Sequence, residues 1–214
     1  MNNPAHQADI AARERLIFGK PPRLQPIDRA RVAEAAKRNA AALRSAVSGS
    51  HVDPESIPLE RIPDVIFTML RYPELWERIC GLSMHLLSGG LLSARDRELA
   101  VLRVGWLCQA PFEWGEHVKQ AKNAGITSAE IEQITVGSAA PGWSEHDRAL
   151  MRAVEELHSD SMVADSTWDT LSTRLDANQL FELTVLVGQF HTVAFFQNSL
   201  RLPLGEGNIG LAAR

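Results

Sequence analysis

Glu98, Glu113 and His117 are the residues of this chain whose types and spacing point most directly to proton-transfer chemistry. They lie in the run RELAVLRVGWLCQAPFEWGEHV, which begins at Arg97. Glu98 is followed by Leu99, Ala100, Val101, Leu102, Val104, Trp106 and Leu107, so the helix that carries it is expected to be buried. A buried carboxylate is costly unless it is paired, hydrogen-bonded or protonated. After Pro111, Glu113 and His117 stand four residues apart, as neighbours on one helix face. A carboxylate beside an imidazole can orient the ring and favour its charged form. The same pair is also what an ordinary structural ion pair on a helix looks like.

The elements that must position these residues read as helices throughout. The runs IDRARVAEAAKRNAAALRSAV, VIFTMLRYPELWERICGLSMHLL, DRALMRAVEELHS and NQLFELTVLVGQFHTVAFFQNSL carry Ala, Leu, Glu and Arg at helical spacing. Ser93 with Asp96, Thr127 with Glu130 and Ser144 with Asp147 mark helix starts, and Asp165 is expected to cap the helix holding Trp168. Pro111 suits a first helical turn and Gly125 a helix stop. No strand pair or internal repeat is evident. The expected fold is all-α, a single-domain helical bundle over residues 26–214, with residues 1–25 as an arm or an extra helix. If Glu98 and His117 lie on straight antiparallel helices joined near Ala110, the rise per residue leaves an axial offset of about 8 Å, too long for a direct hydrogen bond.

The segment from Leu91 to Gly137, LLSARDRELAVLRVGWLCQAPFEWGEHVKQAKNAGITSAEIEQITVG, resembles the carboxymuconolactone decarboxylase and alkylhydroperoxidase D superfamily. HLLSGG before it, and EELHSD and VGQFHTVAFFQNSL after it, extend the likeness more weakly. The resemblance implies a bundle of the alkylhydroperoxidase D-like type and convergence of Glu98 with His117. The peroxidase branch has a Glu, a Cys-x-x-Cys pair and a His four residues after the second Cys. Here Ala110 and Glu113 stand where those cysteines would be, Cys108 lies two residues too early, and Cys80 is far away in sequence. Disulfide cycling needs a low-pKa thiol and a resolving thiol close by, so a peroxidase is not expected.

The resemblance therefore implies a cofactor-independent enzyme that acts by proton transfer on a small unsaturated carboxylated lactone or diacid, by decarboxylation or isomerisation. His117 is its general acid/base, Glu98 the relay or orienting partner, and Glu113 a tuning group or second acid. His85, Trp114 and His191 are candidate substrate contacts, each with an equally ordinary structural reading: a helix end, a core aromatic and a core imidazole. Arg95, Arg97 and Arg103 could pair with Glu98 or hold a substrate carboxylate. The alternatives are a thiol peroxidase using Cys108, or a non-catalytic helical oligomer that binds a ligand.

Composition excludes several classes. With a net charge of -4, 22% charged residues and 45% hydrophobic residues, the chain has no electrostatic case for nucleic acid. Phe181 to Leu200 is the most apolar long stretch, but Glu182, Gln189, His191, Gln197 and Asn198 make it a core helix rather than a membrane span. Two distant cysteines and an amino terminus without an apolar core point to the cytoplasm. Seven histidines form no paired metal motif, so neither a metal nor another cofactor is expected. The resemblance implies a homo-oligomer, a trimer or hexamer before a dimer, and five tryptophans are consistent with subunit contacts.

Overall fold

The computed structural model describes residues 4–214, and among them no strand occurs. Ten α-helices follow in order: α1 (Pro4–Phe18), α2 (Ala33–Ser48), α3 (Asp64–Met69), α4 (Pro73–Met84), α5 (Ala94–Leu107), α6 (Pro111–Asn123), α7 (Ser128–Val136), α8 (Glu145–Asp160), α9 (Asp165–Ser172) and α10 (Ala177–Leu200). They form two compact units: one is Pro22–Gly90, and the other joins the segment through Pro21 to Leu91–Arg214. α1 falls within the 1–25 segment that the sequence sets apart.

In the Pro22–Gly90 unit, Ala36, Ala40 and Ala41 of α2 pack with Ile57, Ile62, Ile66, Phe67 and Leu70. The guanidinium of Arg29 lies 4.5 Å over the Phe67 ring and pairs with Asp64 at 2.5 Å. The long apolar run that starts at Val65 is not one helix. Pro73 cannot continue α3, so it takes the first turn of α4 instead. α4 runs into a π-helical turn, His85–Gly89.

In the larger unit α5 is the hub, packed against α6, α7, α8 and α10. Leu99, Ala100, Leu102 and Val104 are fully enclosed and meet a core that includes Trp114, Ile131, Ile134, Leu150, Val154 and Leu186. The helix borders follow local chemistry. Pro111 opens α6, and Gly125 stops it with φ +83°. Thr127 and Glu130 form a full capping box, and Asp176 with Gln179 forms another at the start of α10. Ser93 accepts from the Asp96 amide at 3.0 Å, and the Asp96 carboxylate also meets His146 of α8 at 3.1 Å. Asp165 is the first residue of α9 rather than its cap, a place held by Ala164.

α10 is not apolar all round in its setting. Leu180, Leu183, Leu186, Val187, Phe190 and Ala194 face inward, while Phe181 and Phe195 are 69% and 60% exposed. No helix among the described residues is long and apolar enough to cross a membrane.

Candidate active site

The buried helix α5 carries charged side chains that each tie it to a neighbour. Arg95 pairs with Glu130 of α7 at 2.6 Å and with Asp147 of α8 at 3.2 Å. Asp96 pairs with His146 of α8 at 3.1 Å. Arg103 pairs with Glu155 of α8 at 2.8 Å and donates to the carbonyls of Ile134 and Thr135. Gly137 makes room for this last cluster. It has φ +89°, and a Cβ there would fall 2.3 Å from the Arg103 guanidinium and 2.1 Å from the Glu155 carboxylate. Such pairs satisfy charges that burial would otherwise make expensive, and they fix how α5 is rotated.

Glu98 is the most enclosed of these groups, with 0% exposure. Its Oε2 lies 2.8 Å from His117 Nδ1, and its Oε1 accepts from Arg97 Nε at 3.1 Å. Burial alone would raise the Glu98 carboxyl, but the charges and hydrogen bonds of His117 and Arg97 outweigh it and hold the group below the ordinary carboxylate range. An anionic Glu98 requires Nδ1 of His117 to carry the hydrogen. Nε2 is the ring nitrogen that Glu98 does not hold. The Phe190 ring meets the imidazole edge-on, with centroids 5.1 Å apart. The dyad therefore leaves its second imidazole nitrogen for proton transfer, backed by a carboxylate, in a nearly closed setting beside Phe190.

The 8 Å offset expected from straight helices does not occur. That count treated Cys108 to Ala110 as helix, whereas those residues form the turn. Measured from the helix ends, Glu98 is nine residues before Leu107 and His117 six after Pro111. The axial difference is then about 5 Å, which two long side chains span within one chain. The turn itself is pinned. Gln109 adopts φ +44°, the Cys108 carbonyl accepts from Asn198 at 3.1 Å and from Arg13 at 3.3 Å, and the Gln109 carbonyl accepts from Arg13 at 3.1 Å.

Glu113 behaves differently from the ion pair its spacing suggests. It makes no hydrogen bond to His117, and both its carboxyl oxygens are buried without a partner among the described residues. Burial pushes its pKa well above the ordinary 4.5, which favours the neutral carboxylic acid. Of the three candidate arginines, Arg97 reaches Glu98, and Arg95 and Arg103 serve the tethers described above.

The other sequence candidates separate. Trp114 is fully enclosed; its indole N–H donates to the Ala213 carbonyl at 3.0 Å, and its ring packs 4.9 Å from Trp106, under Arg214. His85 is exposed in the π-helical turn of the Pro22–Gly90 unit. His191 joins neither Glu98 nor His117. Its Nε2 is 2.9 Å from His158 Nδ1, and its own Nδ1 is 2.8 Å from the Val187 carbonyl. Cys108 and Cys80 are free thiols. Burial, with Glu113 second, pushes the Cys108 thiol up to about 12, the opposite of an activated peroxidase cysteine. His158 and the Asp96–His146 pair have no signal in sequence spacing, because they meet only through the packing of α8.

Residues 73–156 match the model of the carboxymuconolactone decarboxylase family. That segment is similar to the carboxymuconolactone decarboxylase family, in keeping with the resemblance carried by its motifs. Solved structures also resemble the chain in fold. A peroxidase-related protein from a Silicibacter species superposes with a TM-score of 0.68 at 11% identity, covering 88% of this chain and 96% of that one. The debrominase Bmp8 gives 0.62 at 12% identity, covering 86% and 92%. A protein of unknown function from Agrobacterium tumefaciens gives 0.59 at 22% identity, covering 64% and 94%. At these identities the likeness establishes the shared all-helical fold. Among curated proteins none matches the sequence.

Proposed function

We propose that this chain is a proton-transfer enzyme of the carboxymuconolactone decarboxylase type, acting on a small unsaturated carboxylated lactone or diacid. The observation that carries the reading is the buried Glu98–His117 contact at 2.8 Å, with Arg97 on the second carboxylate oxygen. Nδ1–H of His117 stays on Glu98, so Nε2 is the atom that takes a proton from substrate or gives one to it. Glu98 stabilises the imidazolium while Nε2 is protonated.

In the decarboxylating form, the bond between carbon and the departing carboxylate breaks and its electron pair enters a dienolate conjugated with the lactone carbonyl. His117 then delivers one proton to carbon and recovers one from water. In the isomerising form, Nε2 removes a proton from one carbon and returns it to another, with no net proton consumed. In the protonated form that burial favours, the Glu113 carboxyl supports either route as a hydrogen-bond donor to dienolate oxygen, a part that an ionised carboxylate could not play. That the debrominase Bmp8 shares the fold supports the capacity of this scaffold to host catalysis.

The test is turnover of a panel of unsaturated carboxylated lactones and diacids in deuterated water, with products read by mass and proton spectra. Decarboxylation on this mechanism places one solvent deuteron on carbon per carbon dioxide released. Product lacking carbon-bound deuterium would argue against His117 as the donor in that reaction. A peroxidase would instead consume peroxide through Cys108, and the elevated thiol pKa opposes it.

A further inference from the structure

Outside the Glu98–His117 pair, three potential metal-ligating side chains converge from separate elements of the larger unit. Cys108 comes from the turn after α5, His158 from the last turn of α8 and His191 from the middle of α10. One ligand atom from each lies within 4.8 Å of the other two. We propose that Cys108, His158 and His191 form a binding site for a divalent transition metal of the zinc class, with the fourth coordination position open to water or a small ligand.

The ligand set suits such an ion. A thiolate with two imidazoles favours zinc and its neighbours over magnesium or calcium, which take oxygen. Three protein ligands with one open position is the arrangement of zinc sites that keep a water.

The orientation of the groups is fixed in the way metal ligands require. The Val187 carbonyl holds Nδ1–H of His191 at 2.8 Å, which sets the tautomer and turns the Nε2 lone pair toward His158 and Cys108. Cys108 is held through its backbone by Asn198 and Arg13. His158 is exposed, so its ring can turn and its remaining nitrogen faces water.

The adjustments needed are small. Two nitrogens on one tetrahedral zinc lie roughly 3.4 Å apart, so the 2.9 Å His158–His191 contact must open by about half an ångström. The sulfur must close to about 3.6 Å from each nitrogen, from separations within 4.8 Å.

Binding balances as one metal–sulfur and two metal–nitrogen bonds formed and one proton released. Cys108 gives up its thiol proton to solvent. His158 keeps its proton count but moves the hydrogen from Nδ1 to the solvent-facing Nε2. Arg13 beside Cys108 and Arg103 near His158 are positive charges that work against a cation.

The test is a titration of the chelator-stripped full chain with cobalt(II), followed by absorption spectroscopy, with circular dichroism to verify folding. The expected result is saturation at one cobalt per chain, with a thiolate-to-cobalt charge-transfer band, tetrahedral visible bands, and displacement by zinc. Cys108→Ser should abolish the charge-transfer band. His158→Ala, a change at an exposed position, should weaken binding by about tenfold or more. Cys80→Ser should leave both unchanged. Absence of the charge-transfer band in folded protein, or its persistence in Cys108→Ser, would overturn the proposal. The readout is metal binding alone, so it stands or falls independently of turnover at His117.

Discussion

Replacing Glu113 with Gln should make the protein's stability less sensitive to alkaline pH, by an amount that follows from its burial. In the folded chain the Glu113 carboxyl is enclosed, unpartnered and raised well above 4.5. In the unfolded chain it ionises near 4.5. Above that pH the folded state therefore holds one more proton than the unfolded state, and stability falls as pH rises. The slope for one proton is about 1.4 kcal/mol per pH unit. Between pH 5 and pH 8 the loss reaches about 4 kcal/mol if the folded carboxyl stays neutral. It levels off wherever that carboxyl ionises. Glu113→Gln removes the titration and keeps the size. Its buried amide carries a cost of its own, but that cost is the same at every pH. The slope rather than the intercept is thus the readout. Urea unfolding of both proteins at pH 5, 6, 7 and 8, followed by circular dichroism, gives the difference directly, because all other titrations are common to both chains. Parallel stability curves would refute the reasoning, and a wild type that gains on the variant with rising pH would mean that Glu113 is ionised and paired.

Three further outcomes follow from the same structure. Cys108, with its thiol pushed up to about 12, should react with iodoacetamide at pH 8 about three orders of magnitude more slowly than an ordinary free cysteine, and denaturation should abolish the difference; mass spectrometry of the labelled peptide reads it. Asp96 is held below its ordinary 3.8 because His146 and Ser93 outweigh its burial, so it stabilises the fold above that range and the contribution is lost as pH falls through the lowered value. Asp96→Asn should cost about 1.5–3 kcal/mol at neutral pH, and the gap should close in acid when thermal or urea unfolding is measured. The exposed Phe181 and Phe195 on α10 fit burial between subunits, and light scattering should give a mass of a trimer or hexamer, with a value near 23.6 kDa refuting the assembly.

Local signals in the sequence carry much of the fold. Pro111, Gly125, Thr127 and Glu130 act on residues within one helical turn of themselves, and the structure places each where its chemistry requires. Pro73 was an equally local signal, and it divides what its apolar neighbours make look like one helix. The Glu98–His117 contact depended on the superfamily resemblance, because helical rise counted through the Cys108–Ala110 turn gives the wrong offset. Glu113 was legible as a chemical group but not as a neutral one, since its state depends on what encloses it. Cys108, His158 and His191 are separated by 50 and 33 residues and share no motif. Only the packing of α8 and α10 beside the end of α5 brings them together.

The central claim is that His117, backed by Glu98, transfers the proton. The most direct measurement is kcat/KM for the best substrate of the lactone and diacid panel, compared between wild type and His117→Ala at matched melting temperature. The account predicts a loss of about a hundredfold to ten-thousandfold in the variant. A folded His117→Ala protein that turns over within about threefold of wild type, far short of the effect of a general acid/base, would contradict it.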